Sequence, residues 1–248
     1  MVLHKERLFS IFFGDATNCT VPHKSDDKVY HRTEHSEFKG ACLKLCEDFL
    51  LKNLILDHQT HSTDGFFIDK NFLEYKQAKV ILFENDGDFL ITNQSNIGIG
   101  VLTADCLPIV FYDTKNNIIA IAHAGWKGSV ANITAKVIET MRTHASFEPS
   151  DLKIFFGPSA KQCCYEVQPD FLDHIQKYSF ASLLIENRDN KLFFDNALLN
   201  RLQLLEIGFQ VDQIDTSMNL CTMCCPNFHS FRIKKTANVC QTTIAWLN

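Results

Sequence analysis

The residues best suited to chemistry in this 248-residue chain are one cysteine and two histidines, each next to a predicted strand. Cys106 follows the apolar run 98–103, His123 ends a second apolar run, and His61 follows a third, shorter one. Two imidazoles and one thiolate are sufficient protein ligands for a catalytic zinc, and they leave the fourth position for water or substrate. Zinc held in this way could polarise a substrate oxygen or activate water near neutral pH.

The spacing of these three residues leaves other interpretations open. They lie far apart in the sequence, so from spacing alone they could be unrelated. A metal-free hydrolase would use Cys106 as the nucleophile, activated by His123, with backbone N–H groups of the turn as the oxyanion hole. His61 separates the two readings, because it is a ligand in the first and has no required role in the second. A non-catalytic scaffold has no need of such a set.

The three residues lie among predicted strands and helices that run through the whole chain. β-branched and aromatic runs bounded by turn residues predict strands, and amphipathic runs predict helices. The predicted strands are 8–13, 54–56, 66–68, 79–83, 89–92, 98–103, 108–112, 118–122, 152–156, 211–214 and 242–246, and the predicted helices are 36–53, 128–144, 169–177 and 195–207. With no repeat or linker in the sequence, we predict one α/β domain over residues 1–248, with 14–34 as a surface loop.

Composition excludes several function classes. The net charge is −5, with no basic block, so a nucleic acid partner is not expected. No stretch reaches the ~18 apolar residues of a membrane span, and the start has no secretion signal pattern, so we expect no membrane partner and a cytoplasmic location. The ten cysteines are then expected to be thiols.

Two groups of cysteines need separate accounts. Cys42 and Cys46 are one helical turn apart on an apolar face, which predicts that they fill the core. The pair Cys163-Cys164 and the segment 221–225 could supply four thiolates to a structural zinc. Adjacent cysteines rarely chelate one ion well, and only one CxxC is present, so such a site is not expected.

The central motifs resemble a known family. TADCLPIVFYD at 103–113 and AIAHAGWKG at 120–128 strongly resemble the YfiH-type, or laccase-domain, family. Its members are described as purine nucleoside phosphorylases with adenosine deaminase activity, as polyphenol oxidases and as peptidoglycan editing factors. Further matches extend the resemblance over residues 54–247, namely Gln59-Thr60-His61, Gly157-Pro158, Cys164-Tyr165-Glu166-Val167, Cys221-Thr222 and Phe228 to Arg232. The resemblance implies a layered α/β fold with mixed β-sheets covered by helices.

The resemblance also implies a site and an activity. His61, Cys106 and His123 would bind Zn²⁺, with Cu²⁺ as the alternative, and Cys106 and His123 would be catalytic. Asp105, next to the cysteine, would be a partner of the ligands or a proton carrier, or else a turn-capping residue. The implied function is a zinc-dependent purine nucleoside phosphorylase acting on adenosine, inosine and methylthioadenosine, with adenosine deaminase activity. The implied partners are thus a purine nucleoside and phosphate, and the oligomeric state is left open.

Substrate residues follow from the same resemblance. Arg232 or Lys127 would hold the anion, and Tyr165 or Glu166 would orient the substrate. The chain departs from the family at several arginines: its N-terminal segment reads FFGDATNCT, and Ile233 replaces the second arginine of the SYRR motif. Because arginine is the preferred bidentate partner of phosphate, phosphorolysis is the activity that these departures affect most.

Two alternatives therefore stand beside phosphorolysis. One is a cysteine- or metal-assisted hydrolase that edits a peptidoglycan precursor. The other is a weak copper-dependent polyphenol oxidase. A true multicopper oxidase needs a type 1 copper and a histidine-rich trinuclear cluster, and the central motifs contain too few histidines for that assembly.

Overall fold

The computed structural model describes residues 2–17, 36–234 and 239–248. Its strands are β1 (Val2–Lys5), β2 (Phe9–Phe13), β3 (Asn53–His58), β4 (Gly65–Ile68), β5 (Val80–Asp86), β6 (Phe89–Thr92), β7 (Ile97–Thr103), β8 (Leu107–Asp113), β9 (Ile118–Ala124), β10 (Leu152–Phe156), β11 (Glu166–Val167), β12 (Ile185–Arg188), β13 (Lys191–Phe194), β14 (Ile214–Asp215) and β15 (Gln241–Leu247). Its helices are α1 (Ser36–Asp48), α2 (Lys70–Lys76), α3 (Trp126–Val130), α4 (Ile133–His144), α5 (Leu172–Ile175), α6 (Asn196–Glu206) and α7 (Phe231–Lys234). Across these ranges, no helix is long and apolar enough to cross a membrane.

The strands form three sheets. The first has the order β1-β2-β15-β7-β3-β5, the second β14-β10-β8-β9-β6-β4, and the third β11-β13-β12. In the first sheet β3 runs parallel to both β5 and β7, whereas the pairs β1–β2, β2–β15 and β15–β7 are antiparallel. The second sheet is also mixed, with parallel pairs at its two edges. The predicted α/β class with mixed sheets and helices is confirmed.

The core lies between the first two sheets and between each sheet and its helices. Along β8, Ile109 and Phe111 pack with α4 and α6, while Val110 and Tyr112 pack against residues of the first sheet. This alternation follows from the two-residue period of a strand, which sends successive side chains to opposite faces. On the far side of the first sheet, α1 buries its apolar face, including both of its cysteines as predicted. The layers are therefore α1, first sheet, second sheet, and α4 with α6.

Three successive connections cross from the first sheet to the second at one edge. The parallel strands β3, β5 and β7 belong to the first sheet, and β4, β6 and β8, which directly follow them, belong to the second. Because parallel strands end on the same side, the three connecting loops lie together. Strand β9 is antiparallel to β6 and β8, so its last residues reach the same edge. This edge receives all three residues singled out from the sequence.

The structure also differs from some of the predicted elements, and both helix differences occur at a residue with a left-handed backbone. The helix predicted over 36–53 ends at Asp48, and Leu50 has the left-handed φ of 57° that a helix does not continue. The helix predicted over 128–144 is two helices, separated at Asn132 with φ 63°, whose side chain caps α4. The strand predicted over 211–214 is a 3-10 turn followed by the two-residue β14. Of the loop predicted over 14–34, only 14–17 lies within the described residues.

Candidate active site

Three ligand atoms converge where the two large sheets meet. One ligand atom each of His61, Cys106 and His123 lies within 4.8 Å of the other two. The Sγ of Cys106 is 3.9 Å from Nε2 of His61, and the two imidazole rings meet edge to face with centroids 4.8 Å apart. His123 is buried, Cys106 is half-buried and His61 is exposed, so one side of the group faces a substrate approaching from solvent.

The loop that carries His61 is fastened to the end of β7. The side-chain amide of Gln59 donates to the carbonyl of Leu102 at 2.8 Å and accepts from the backbone N–H of Leu102 at 2.7 Å. The Gln59 amide thus makes with Leu102 the two hydrogen bonds that a backbone residue of a neighbouring strand would make. His61 itself has a left-handed φ of 61°, which turns the chain sharply towards the site. In the Gln-x-His segment, Gln59 therefore fixes the loop to β7 and the left-handed turn at His61 directs the chain towards the site.

Asp88 holds the ring of His123 and the backbone of the loop that carries His61. It is fully buried between β5 and β6. Its Oδ1 accepts from Nδ1 of His123 at 2.8 Å and from the N–H of His61 at 3.0 Å, and its Oδ2 accepts from the N–H and hydroxyl groups of Thr60 and Ser62. Burial would raise the pKa of this carboxyl, but His123 and Ser62 bring it down to about 2. Sequence reasoning left this role open, because an aspartate in a turn before a strand is equally common as a turn residue.

The cysteine and the buried histidine form a charge-stabilised pair. Burial would raise the pKa of Cys106, but the neighbouring His123 and His61 lower it to about 6. Burial likewise opposes the charge on His123, yet Cys106 and Asp88 raise its pKa to about 9. With Nδ1 of His123 bound to Asp88, its Nε2 is left for Cys106 or for a metal. A carboxylate–histidine pair of this kind fixes the ring orientation of many metal ligands.

Gly125 leaves the space in which a metal would sit. A Cβ added at this residue would lie 2.8 Å from Cδ2 of His61, 3.2 Å from Sγ of Cys106 and 3.5 Å from Cε1 of His123. Its backbone (φ −65°, ψ 163°) is one that any residue adopts, so the requirement for glycine comes from the space and not from backbone strain. Three converging donors around a cradle that a methyl group would fill fit one metal ion with an open position.

We expect Gly125→Ala to lower metal affinity without unfolding the chain. The added methyl displaces His61 or Cys106, and disturbed ligand orientation costs about 10–100-fold in affinity. The measurement is a metal titration with competing chelator, with thermal unfolding as the check on the fold. Gly40→Ala is the matched control, because a Cβ there meets nothing within 4 Å. Unchanged affinity in Gly125→Ala would contradict the assigned metal position.

The carboxylate of Asp105 binds the C-terminal part of the chain. Its Oδ1 accepts from the hydroxyl of Thr222 at 2.7 Å, and its Oδ2 accepts from the hydroxyl of Ser230 at 3.0 Å and from the N–H of Arg232 at 2.8 Å. Its φ of 87° lies in the left-handed region, which aspartate tolerates better than most residues. With both oxygens occupied, the geometry favours a positioning role for Asp105 over proton transfer.

The substrate-binding candidates divide into two places. The guanidinium of Arg232 lies 4.4 Å from the ring centroid of Tyr165 and donates to the backbone carbonyl of Glu166. The carboxylate of Glu166 is engaged by Lys191 at 2.9 Å. Burial raises the pKa of Tyr165, and nearby Cys106 adds to the effect, so its hydroxyl stays protonated. Lys127 is exposed on α3, with its Nζ 5.8 Å from the ring centroid of the preceding tryptophan.

The donor set fits one metal centre and not a multicopper assembly. Among residues 2–17, 36–234 and 239–248, the metal-ligand groups of three or more are this one and a group of four cysteines. A trinuclear copper cluster needs many imidazoles, and this group contains two. Two imidazoles, a thiolate and an open position are the ligand set of a catalytic zinc, although copper also binds imidazole and thiolate.

Comparisons with known proteins reveal similarity in sequence and in fold. The sequence matches the profile of a family described as multi-copper polyphenol oxidoreductase laccase over residues 30–248. It is 30% identical to a purine nucleoside phosphorylase of Clostridium acetobutylicum over 231 residues. The aligned region covers 93% of this chain and 88% of that protein. It is 33% identical to the adenosine deaminase RL5 of an unknown prokaryotic organism over 180 residues. The aligned region covers 70% of this chain and 67% of that protein. The fold matches the crystal structure of the Bacillus licheniformis hypothetical protein YfiH with a TM-score of 0.81 at 22% identity, over 97% of this chain and 93% of that one.

Proposed function

We propose that this chain, which belongs to the family described as multi-copper polyphenol oxidoreductase laccase, is a zinc-dependent purine nucleoside phosphorylase acting on adenosine and inosine. The observation that carries the proposal is the convergence of His61, Cys106 and His123, with His123 oriented by buried Asp88. The names of two sequence relatives support the substrate class. In the proposed enzyme these three residues hold the metal, which supplies Lewis-acid polarisation of the substrate when bound.

The reaction requires the chain to position two substrates. A phosphate oxygen forms a bond to C1′ of the ribose while the bond from C1′ to N9 of the purine breaks. The electron pair leaves with N9, and a proton must reach the purine as it departs. Arg232 would hold the phosphate, with Lys127 as the alternative, because a guanidinium matches the geometry of phosphate oxygens. Protonated Tyr165 would donate a hydrogen bond to the nucleoside, and Glu166 would position Arg232 through its carbonyl.

The same pocket could support adenosine deamination. In that reaction water adds to C6 of adenine and ammonia leaves, so inosine is formed without phosphate. Both reactions need a purine held beside the three donors, and a relative named adenosine deaminase supports the second activity. Methylthioadenosine belongs to the same proposal as a phosphorolysis substrate.

A second candidate is a cysteine hydrolase that cleaves an amide of a peptidoglycan precursor. The observation that favours it is the contact of Cys106 with two imidazoles, an arrangement that also activates nucleophilic thiols. In this reading Cys106 attacks the carbonyl carbon, the amine leaves with a proton from His123, and water then releases the acyl group. Copper-dependent oxidation of polyphenols has only the family description in its support.

A product assay tests the proposed function. We expect purified protein to release hypoxanthine and ribose 1-phosphate from inosine only when phosphate is present, and to convert adenosine into inosine without it. Arg232→Ala should raise the KM for phosphate about 10-fold or more, since a charge-assisted contact contributes about 1.5–3 kcal/mol. Chromatography and a phosphate titration measure both effects. Amide hydrolysis without nucleoside turnover would overturn the assignment.

A further inference from the structure

Four cysteines outside the candidate active site converge at a second place. The ligand atoms of Cys163, Cys164, Cys221 and Cys224 all lie within 4.8 Å of one another. The Sγ of Cys224 is 3.5 Å from that of Cys163 and 3.2 Å from that of Cys164. They come from two segments about 60 residues apart in the sequence.

The geometry points to a tetrathiolate metal site, and we propose that Cys163, Cys164, Cys221 and Cys224 bind one structural zinc ion. At a Zn–S distance of about 2.3 Å, a tetrahedron of sulfurs has edges of about 3.8 Å. The observed separations lie around this value, so small shifts of the side chains would complete the site. Four thiolates and no open position are the signature of a structural zinc.

The backbone explains how two adjacent cysteines can share one ion. Residues 162–164 form a turn in which the N–H groups of Cys164 and Tyr165 both bond to the carbonyl of Lys161 at 2.9 Å. Arg188 fastens this turn from outside by donating to the carbonyls of Gln162 and Cys163. In this turn both thiols reach Cys224, whereas adjacent residues of an extended strand point to opposite faces. The expectation against adjacent ligands therefore does not apply here.

The second segment presents its thiols in a similar way. Cys221 and Cys224 stand in a CxxC turn closed by a hydrogen bond from the N–H of Cys225 to the carbonyl of Cys221 at 3.0 Å. The backbone N–H groups of Lys161, Met223 and Cys224 donate to the buried Sγ of Cys221. Donors aimed at sulfur stabilise the negative charge of a metal-bound thiolate.

A metal in this place would join two segments that border the candidate active site. One segment continues directly into Tyr165 and Glu166. The other continues into Thr222, whose hydroxyl donates to Asp105, the neighbour of Cys106. The two segments already pair at Ser159 and Cys221, but by an isolated bridge. The zinc would thus lock the substrate side of the pocket, independently of any metal on His61, Cys106 and His123.

Metal analysis tests the site separately from the proposed function. In His61→Asn protein, which lacks a ligand of the first site, we expect one zinc per chain with a shell of sulfur only at about 2.3 Å by X-ray absorption. Adding Cys163→Ser and Cys224→Ser should remove that zinc and lower the Tm by about 5 °C or more. Cys225→Ser is the matched control, adjacent to Cys224 but outside the cluster, and should keep the zinc.

Alkylation of unmutated protein gives an answer that does not depend on folding of the variants. We expect the four cysteines to resist iodoacetamide until a zinc chelator is added, and Cys225 to react in either case. Four freely reactive thiols in protein purified without chelator would overturn the proposal. So would resistance that is relieved by a reductant and not by a chelator, since that identifies a disulfide, or iron in place of zinc.

Discussion

Replacement of His61 by asparagine is expected to remove the catalytic metal and to abolish nucleoside turnover while the fold persists. His61 is one of three proposed ligands, and loss of a ligand should cost more than the ~10–100-fold that loss of an outer partner costs. Asparagine is chosen because it tolerates the left-handed φ of 61° at this position. Metal content by plasma mass spectrometry and kcat/KM for inosine phosphorolysis measure the effect, with the four-cysteine site counted separately.

The same variant separates the two candidate chemistries. A nucleophilic Cys106 activated by His123 has no need of His61, so a hydrolase would keep most of its activity after the change. His58→Asn is the matched control, three residues earlier in the chain, where the imidazole pairs with exposed Asp86 at 2.8 Å. If His61→Asn protein without bound metal still turned over its substrate, the metal assignment would be wrong and Cys106 would be the nucleophile.

The second large effect is expected from Asp88→Asn, which should weaken both metal binding and the fold. Both oxygens of Asp88 accept hydrogen bonds from N–H or O–H groups. An asparagine N–H₂ in either position would therefore face another donor instead of an acceptor. Buried donors without an acceptor cost about 1–3 kcal/mol each, so we expect a loss of about 3 kcal/mol or more in the free energy of unfolding. Metal affinity should fall about 10–100-fold, because the ring of His123 loses its orienting partner.

Denaturant unfolding and metal titration measure these two effects. Asp86→Asn is the control, since this carboxylate lies two residues earlier with its side chain 78% exposed and pairs with the imidazole of His58. An exposed pair of this kind contributes about 1 kcal/mol or less. Wild-type stability and affinity in Asp88→Asn would show that the buried carboxylate does not organise the site.

These experiments separate three levels of organisation around the pocket. His61, Cys106 and His123 would touch the metal, Asp88 orients the ring of His123 and fixes the backbone of His61, and Asp105 anchors the segment that carries Arg232. The four cysteines stand outside this arrangement and would stabilise the same C-terminal segment. A defect at each level has its own signature: lost metal, lost metal with lost stability, or a raised KM for phosphate.

The sequence alone predicted most of the central strands and singled out the three central donors. Strands β6 and β10 have the predicted bounds. A short run of apolar residues between turn residues is a local signal, so it can be read from adjacent residues alone. Cys106 and His123 are placed by the same signal, since each stands at the end of such a run. The family resemblance rests on these residues and extends to the fold, where the match to YfiH confirms it.

Side-chain contacts between residues far apart in the chain could be identified from the tertiary structure but not from the sequence. Asp88 meets His123 across 35 residues, Thr222 meets Asp105 across 117, and Cys224 meets Cys163 across 61. No periodicity links such positions, because their contact depends on which sheet each strand joins and on which loops meet at its edge. The left-handed turns at Leu50 and Asn132 shorten or divide the predicted helices, and the apolar periodicity that predicted those helices does not report them.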